Sequence, residues 1–193
     1  GVHGMLTHLI ASITHIAEAG VPVALHLITD GRDVAPSSAL GYLETLESVL
    51  PTGPTITTVC GRYYALDRDN RWERVSTAFD AMVNAKGAVQ ANAKATIDAA
   101  YAKDITDEFI PATVINGYTG AKDGDGLFCL NFRADRAREI LAALAQPDFA
   151  AFDTGPRPNW STTLGMVEYS QSHNAYLDTV FPPRDIPNTL GAW

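Results

Sequence analysis

VPVALHLITDGRDVAPSSA, residues 21–39, is the stretch whose reading decides the fold. Its opening run, 21–29, is short and almost unbroken in its apolar character, the pattern of a strand covered on both faces rather than one with a wet side. The polar loop that follows carries Asp30, Gly31, Arg32 and Asp33, and then Pro36 and two serines suited to opening a helix over roughly 37–50. A strand that runs through a loop into a helix is the building unit of a parallel sheet.

The unit recurs on both sides. Residues 5–19 place Leu6, Leu9, Ile10, Ile13, Ile16 and Ala17 on one helical stripe that stops at Gly20. TITTVC (55–60) predicts a second strand, residues 70–85 a helix with Trp72, Val75, Phe79, Met82 and Val83 inward, and residues 91–102 another helix. Residues 108–115 are extended without a clear type. GLFCLNF (126–132) predicts a third strand, 134–145 a strong helix, and STTLGMVEY (161–169) a further strand before a Pro-rich tail. The expectation is an α/β protein, three layers α/β/α around one mostly parallel sheet, forming a single domain over 1–193.

Composition sets the partners. With 22 Asp+Glu against 14 Lys+Arg the net charge is −8, which argues against nucleic acid and anionic membranes, since both require an extended basic face. No apolar run reaches the roughly 20 residues that span a bilayer. Cys60 and Cys129 both lie in apolar runs, so buried reduced thiols and a cytoplasmic setting are expected. The chain opens Gly-Val-His without Met, which suggests part of a longer polypeptide.

Within this acidic chain the basic groups are concentrated. Ten arginines outnumber four lysines, and the planar arginine fork is suited to carboxylate and phosphate. Arg32 follows the first strand, Arg62 and Arg68 the second, and Arg133 and Arg136 the third. All fall at carboxyl ends of strands, the edge where open α/β sheets bind ligands and where helix N-termini add N–H donors. The expected ligand is small and multiply anionic. Asp33, flanked by Arg32, is a candidate base toward a substrate hydroxyl with its pKa held down by that cation. Arg71, Arg74, Arg138, Arg157 and Arg184 are expected to be surface or structural groups, Arg71 and Arg74 pairing with Asp67 or a neighbouring acid; Asp67 and Asp69 could also pair Arg62 and Arg68 locally, and Asp135 stands beside Arg133 and Arg136. His26 is expected to be a hydrogen-bonded core residue, while His8 and His15 lack a third metal ligand. His3 stands where a strand-to-helix turn would bind an anion. The chain has no P-loop, dinucleotide fingerprint or nucleophile motif.

GVHG (1–4), TDGRDVAPSSA (29–39), CGRYYALDRDNRWERV (60–75), TDEFIPATVI (106–115), LNFRADRAR (130–138) and NTLG (188–191), in this order and spacing, resemble the cofactor-independent (2,3-bisphosphoglycerate-independent) phosphoglycerate mutase family. The resemblance spans the chain and rests on long, unusual strings. It implies the family's inserted substrate-binding domain, without its opening helix and strand, facing a phosphatase-like domain of the same polypeptide. That second domain would carry two divalent metals, Mn²⁺ expected, and a transiently phosphorylated serine. No metal is implied for these residues. The implied activity interconverts 2-phosphoglycerate and 3-phosphoglycerate in glycolysis and gluconeogenesis, in a monomer. His3, Arg32, Asp33, Arg62, Arg68, Arg133 and Arg136 match the substrate contacts, with Asp33 as the catalytic proton shuttle. One departure stands beside the first histidine: the family commonly reads Ser-His where this chain has Gly4 and Met5, so a capping hydroxyl and an imidazole are missing. The competing expectation is a free-standing, non-catalytic module that binds phosphate or carboxylate.

Overall fold

The computed structural model describes residues 1–184. In chain order the elements are α1 (Leu6–Glu18), β1 (Ala24–Thr29), α2 (Ala39–Val49), β2 (Thr55–Gly61), the single turn α3 (Arg62–Ala65), α4 (Trp72–Asn84), β3 (Ala88–Gln90), α5 (Ala93–Tyr101), β4 (Thr113–Ile115), β5 (Gly126–Cys129), α6 (Arg138–Ala145), β6 (Thr162–Gly165) and β7 (Asp178–Thr179). Short 3-10 turns at Asp107–Phe109 and His173–Ala175 complete the set. NTLG lies outside the described residues.

The α/β class and the parallel-rich pairing are as expected, but the strands divide between two sheets. One has the order β1-β2-β4-β3 and the other β5-β6-β7. The second is wholly parallel, whereas in the first β4 runs antiparallel to β2. The expectation of one mostly parallel sheet is therefore corrected to two. Periodicity in short apolar runs cannot say which strands become neighbours, and β3 and β7, three and two residues long, are too short to carry a period. Helix ends fall within a few residues of expectation except for α6, where 134–137 instead form the turn that leads into it.

Layering follows from the alternation of side chains along β2 and β4. Cys60 and Val114 pack with Val75, Phe79 and Met82 of α4 and with Ile140, Ala143 and Leu144 of α6. On the opposite face, Val59 and Ile115 pack with Ala39 and Leu43 of α2 and Ala93, Ile97 and Ala100 of α5. Ile13 of α1 joins Leu25 and Leu46 at the outer edge. The second sheet closes on Ala137, Leu141, Tyr169 and Leu177. Both cysteines are free, and burial pushes the Cys60 thiol up to about 12.

Two helix N-termini differ in how they are capped. α2 is not capped by its own serines: the Asp107 carboxylate, 1% exposed, accepts the backbone N–H groups of Ser38 and Ala39 at 2.8 and 2.9 Å. α1 has no side-chain cap at Met5, in keeping with the Gly4-Met5 departure.

His26 is the core histidine expected, its Nδ1 2.9 Å from the Thr58 hydroxyl and its ring edge-on to Tyr118. Burial lowers its pKa from 6.5 to about 4. A base depressed in the folded state takes its proton only after unfolding, so stability is lost as pH falls from 6.5 toward 4. Over that gap the loss amounts to about 3 kcal/mol. Urea midpoints measured at pH 7 and pH 4.5 should fall steeply for the wild-type chain and less steeply for His26→Gln. Equal slopes would show that His26 is not the source.

Candidate anion site

The site is assembled around the turn at Asp107–Phe109. Gly31, at φ +64°, approaches it so closely that a Cβ would meet Asp107 Cβ and the Glu108 nitrogen at 2.7 Å. A Cβ on Gly61 would run into the Glu108 backbone. Only glycine permits either approach. Each of these glycines is followed by an arginine, so one turn sets Arg32 and Arg62 beside each other at the ends of β1 and β2. Three further contacts bring in the loops after α3 and β5. The Phe132 N–H donates to the His3 carbonyl at 2.9 Å, Arg136 Nη1 donates to the Leu66 carbonyl at 3.0 Å, and Arg68 Nη1 donates to Asp135 Oδ2 at 2.7 Å. His3 and all five strand-end arginines thus converge on one edge, though they arise from two sheets.

Arg62 is the centre of this edge and is only 3% exposed. Its Nη1 donates to Asp30 Oδ1 at 2.6 Å and to Asp33 Oδ2 at 2.5 Å, and its Nη2 donates to His3 Nε2 at 3.1 Å. Because a guanidinium only donates, that last contact makes Nε2 an acceptor and puts the imidazole proton on Nδ1. Nδ1 is buried and has no partner among the described residues. Burial, then the charge of Arg62, lowers the His3 pKa, so the ring is neutral near pH 7. His3 Nε2 also lies 3.3 Å from Asp33 Oδ2.

Asp33 is held below the usual carboxylate range by the Arg62 hydrogen bond first and by the Arg62 charge. The expected direction is right and the expected partner is wrong: Arg32 turns instead to Glu108, at 3.3 Å. Reach explains the difference, because adjacent loop residues point apart while Arg62 rises between the two aspartates. Asp30, which sequence reasoning passed over, takes Arg62 and also accepts the N–H groups of Arg32 and Asp33 at 3.2 and 3.1 Å. Its signal was the Asp-Gly-Arg-Asp spacing, an aspartate able to accept N–H groups two and three residues on.

Arg68 and Arg133 share Asp135, at 2.7 and 2.8 Å, and stay 46% and 44% exposed. Arg32 is 60% exposed. These three form the open rim, whereas Arg62 and Arg136 lie deeper. Arg74 is structural, as the spacing suggested, pairing with Asp67 at 3.4 Å and lying over the Tyr63 ring at 3.8 Å. Arg138 and Arg157 donate to backbone carbonyls elsewhere. Among the described residues no group of three or more His, Cys, Asp or Glu side chains is placed to hold a metal ion, and the nearest carboxylate pair, Asp30 and Asp33, is already held by Arg62. No described helix is long and apolar enough to cross a membrane.

The arrangement is that of an α/β fold whose strand edge gathers exposed arginines around a buried Arg62–His3 pair and the carboxylates of Asp30 and Asp33. The family profile described as the BPG-independent PGAM N-terminus matches residues 1–171. The chain is 63% identical to the 2,3-bisphosphoglycerate-independent phosphoglycerate mutase of Ruegeria pomeroyi and 58% identical to that of Paracoccus denitrificans, each over 100% of this chain and 38% of the relative. A solved Leishmania mexicana phosphoglycerate mutase, at low cobalt concentration, superposes with a TM-score of 0.88 at 27% identity, covering 97% of this chain and 37% of that one. The chain belongs to the BPG-independent phosphoglycerate mutase family, and it spans 38% of the length of these curated relatives.

The rim arginines and the neighbouring Arg71 and Arg74 should separate on substitution. Calorimetric titration with inorganic phosphate should weaken roughly 10-fold to 100-fold for Arg68→Ala or Arg133→Ala, the range of one charge-assisted contact. Arg71→Ala should stay within about threefold. Arg74→Ala should lower the melting temperature through Asp67 and Tyr63. Equal losses of binding across all four would make the cluster a salt-bridge network.

Proposed function

We propose that this chain is the substrate-holding part of a phosphoglycerate mutase, an isomerase that interconverts 2-phosphoglycerate and 3-phosphoglycerate in glycolysis and gluconeogenesis. The observation that carries the reading is the convergence of exposed Arg32, Arg68 and Arg133 on the buried Arg62–His3 pair, with the more open Asp33 paired to Arg62. A ligand bearing both a phosphate and a carboxylate needs several separated cationic forks, and this edge offers them on loops from three strands. Arg136 adds positive charge beneath the rim, and His3 braces Arg62 through Nε2.

Asp33 is the proposed proton shuttle. Ionised at neutral pH and accepting from Arg62, it is free to take a proton from one substrate hydroxyl and return it to another. The arginines would hold charge in place while the phosphoryl group moves, which is where catalysis of such transfers mostly resides. The two divalent ions implied by the family find no fitting ligand set among the described residues, and the implied phosphorylated serine has no nucleophile motif in the sequence. They are assigned to the facing metal-binding domain of the same polypeptide, and no step on these residues runs through them. A monomer in the cytoplasm belongs to the same reading, supported by two free thiols.

Titration with 3-phosphoglycerate, 2-phosphoglycerate, glycerate and inorganic phosphate tests the proposal. Both phosphoglycerates should bind at least about tenfold more tightly than glycerate or phosphate, since each of those loses one anionic anchor. The chain alone should give no turnover above a buffer control. Equal affinity for phosphate and the phosphoglycerates would leave a general anion site, and turnover by the chain alone would overturn the division of labour.

A further inference from the structure

Behind Arg68 lies a second pair of acids that the site does not use directly. Asp67 and Glu139 are buried, at 4% and 8% exposure, and belong to different elements: Asp67 opens the loop between α3 and α4, and Glu139 sits in the first turn of α6. Together they hold that loop. Asp67 Oδ2 accepts the N–H groups of Asp69 and Arg71 at 2.9 and 3.0 Å, and Glu139 Oε1 accepts the N–H of Asn70 at 2.9 Å. Asn70 is at φ +58°, the left-handed region that asparagine adopts more readily than other non-glycine residues. Arg68 is carried between these anchored residues.

One buried atom is left over. Glu139 Oε2 has no hydrogen-bond donor among the described residues, an unusual state for a carboxylate oxygen away from solvent. A proton shared with the neighbouring Asp67 carboxyl satisfies it and removes the repulsion between two buried anions. The charges support this allocation. Burial and the negative charge of Asp67 raise the Glu139 carboxyl, with Asp69 adding to the push. For Asp67, burial is outweighed by the Arg71 and Asp69 N–H groups and by Arg74, so it is the ionised member. Arg74 from α4 is the cation on the pair, while Arg68 is engaged by Asp135 and Arg136 by the Leu66 carbonyl.

Resting on the reading of this edge as an anion site, we propose that Glu139 is a positioning residue: it shares one proton with Asp67 across a buried carboxyl pair, and the pair fixes the 67–71 loop so that Arg68 is presented to the ligand. The sign of its pH dependence follows. The proton is present at lower pH and lost as pH rises, whereupon two buried carboxylates repel and the loop loosens. Anion affinity therefore falls on the alkaline side.

Sulfate, which does not titrate in this range, is the probe, measured by calorimetry on the chain from pH 5 to pH 9. Glu139→Gln keeps an acceptor for Asn70 and a donor for Asp67 but cannot ionise. It should bind sulfate within about twofold of wild type at pH 5 and at least about fivefold more tightly at pH 9, a loss smaller than that of one whole charge-assisted contact. Taking the ratio of the two profiles cancels any contribution from His3. Glu139→Leu, which lacks both hydrogen-bonding groups, should be weaker than wild type at pH 5. Parallel wild-type and Glu139→Gln profiles would overturn the proposal. If Glu139→Gln does not fold, infrared spectroscopy of the wild-type chain across pH 5 to pH 9 decides, because a chain with no carboxyl band titrating above the ordinary carboxylate range excludes the shared proton. A chain that binds sulfate but does not prefer phosphoglycerate leaves this inference standing and defeats the substrate reading above.

Discussion

The carboxylate of Asp107 is the constraint on which the rest depends. It is almost wholly buried, and it accepts the first two N–H groups of α2 and the Tyr101 hydroxyl at 2.5 Å. Its own backbone N–H donates to the Pro36 carbonyl, and its carbonyl accepts from the Thr29 hydroxyl at 2.7 Å. A buried charge is tolerated only when its lone pairs are met, and here they are met by groups from the α2 N-terminus and α5. Its backbone ties in the end of β1 and the loop ahead of α2. The turn that carries it is therefore immobilised against the ends of β1 and β2. Gly31 and Gly61 fold onto this turn, and their following arginines take positions that neither loop could define alone.

The same economy recurs one layer out. Every arginine at the strand edge has an acidic or carbonyl partner, so the cluster does not repel itself apart in the absence of a ligand. Depth sorts their uses. Arg62, almost fully buried, is saturated by Asp30, Asp33 and His3, and it organises the site. Arg32, Arg68 and Arg133 are about half exposed and keep donors facing water. An exposed ion pair is worth little and exchanges readily, whereas breaking a buried one strands a charge. The ligand is thus expected to trade partners at the rim and to leave the centre intact.

A strongly acidic chain can in this way hold a concentrated basic site without a basic surface. The aspartates and glutamates that give the net charge of −8 include those that aim the arginines: Asp30 and Asp33 at Arg62, Glu108 at Arg32, and Asp135 at Arg68 and Arg133. Composition alone reports the surplus of acid, and placement converts part of it into the framework of an anion site.

Legible in the sequence were the class of fold, the elements α1, β1, α2, β2, α4, α5, β5 and α6, and the edge where the arginines lie, because apolar period and glycine or proline punctuation are local signals that survive without neighbours; β3 and β4, three residues each, were not. The sequence by itself also determined the membership of a family, through strings such as GRYYALDRDNRW and NFRADR that are too long to recur by chance. Tertiary structure alone decided that there are two sheets, that β4 runs against β2, and that α2 is capped by a residue 68 positions away. It also decided which acid meets which arginine. Asp33 meets Arg62 across 29 residues rather than Arg32 beside it, and Arg68 meets Asp135 across 67 rather than its own neighbours. Ion pairing and capping depend on where side-chain tips arrive after the chain has packed, and that distance is set by the core, not by the spacing of letters.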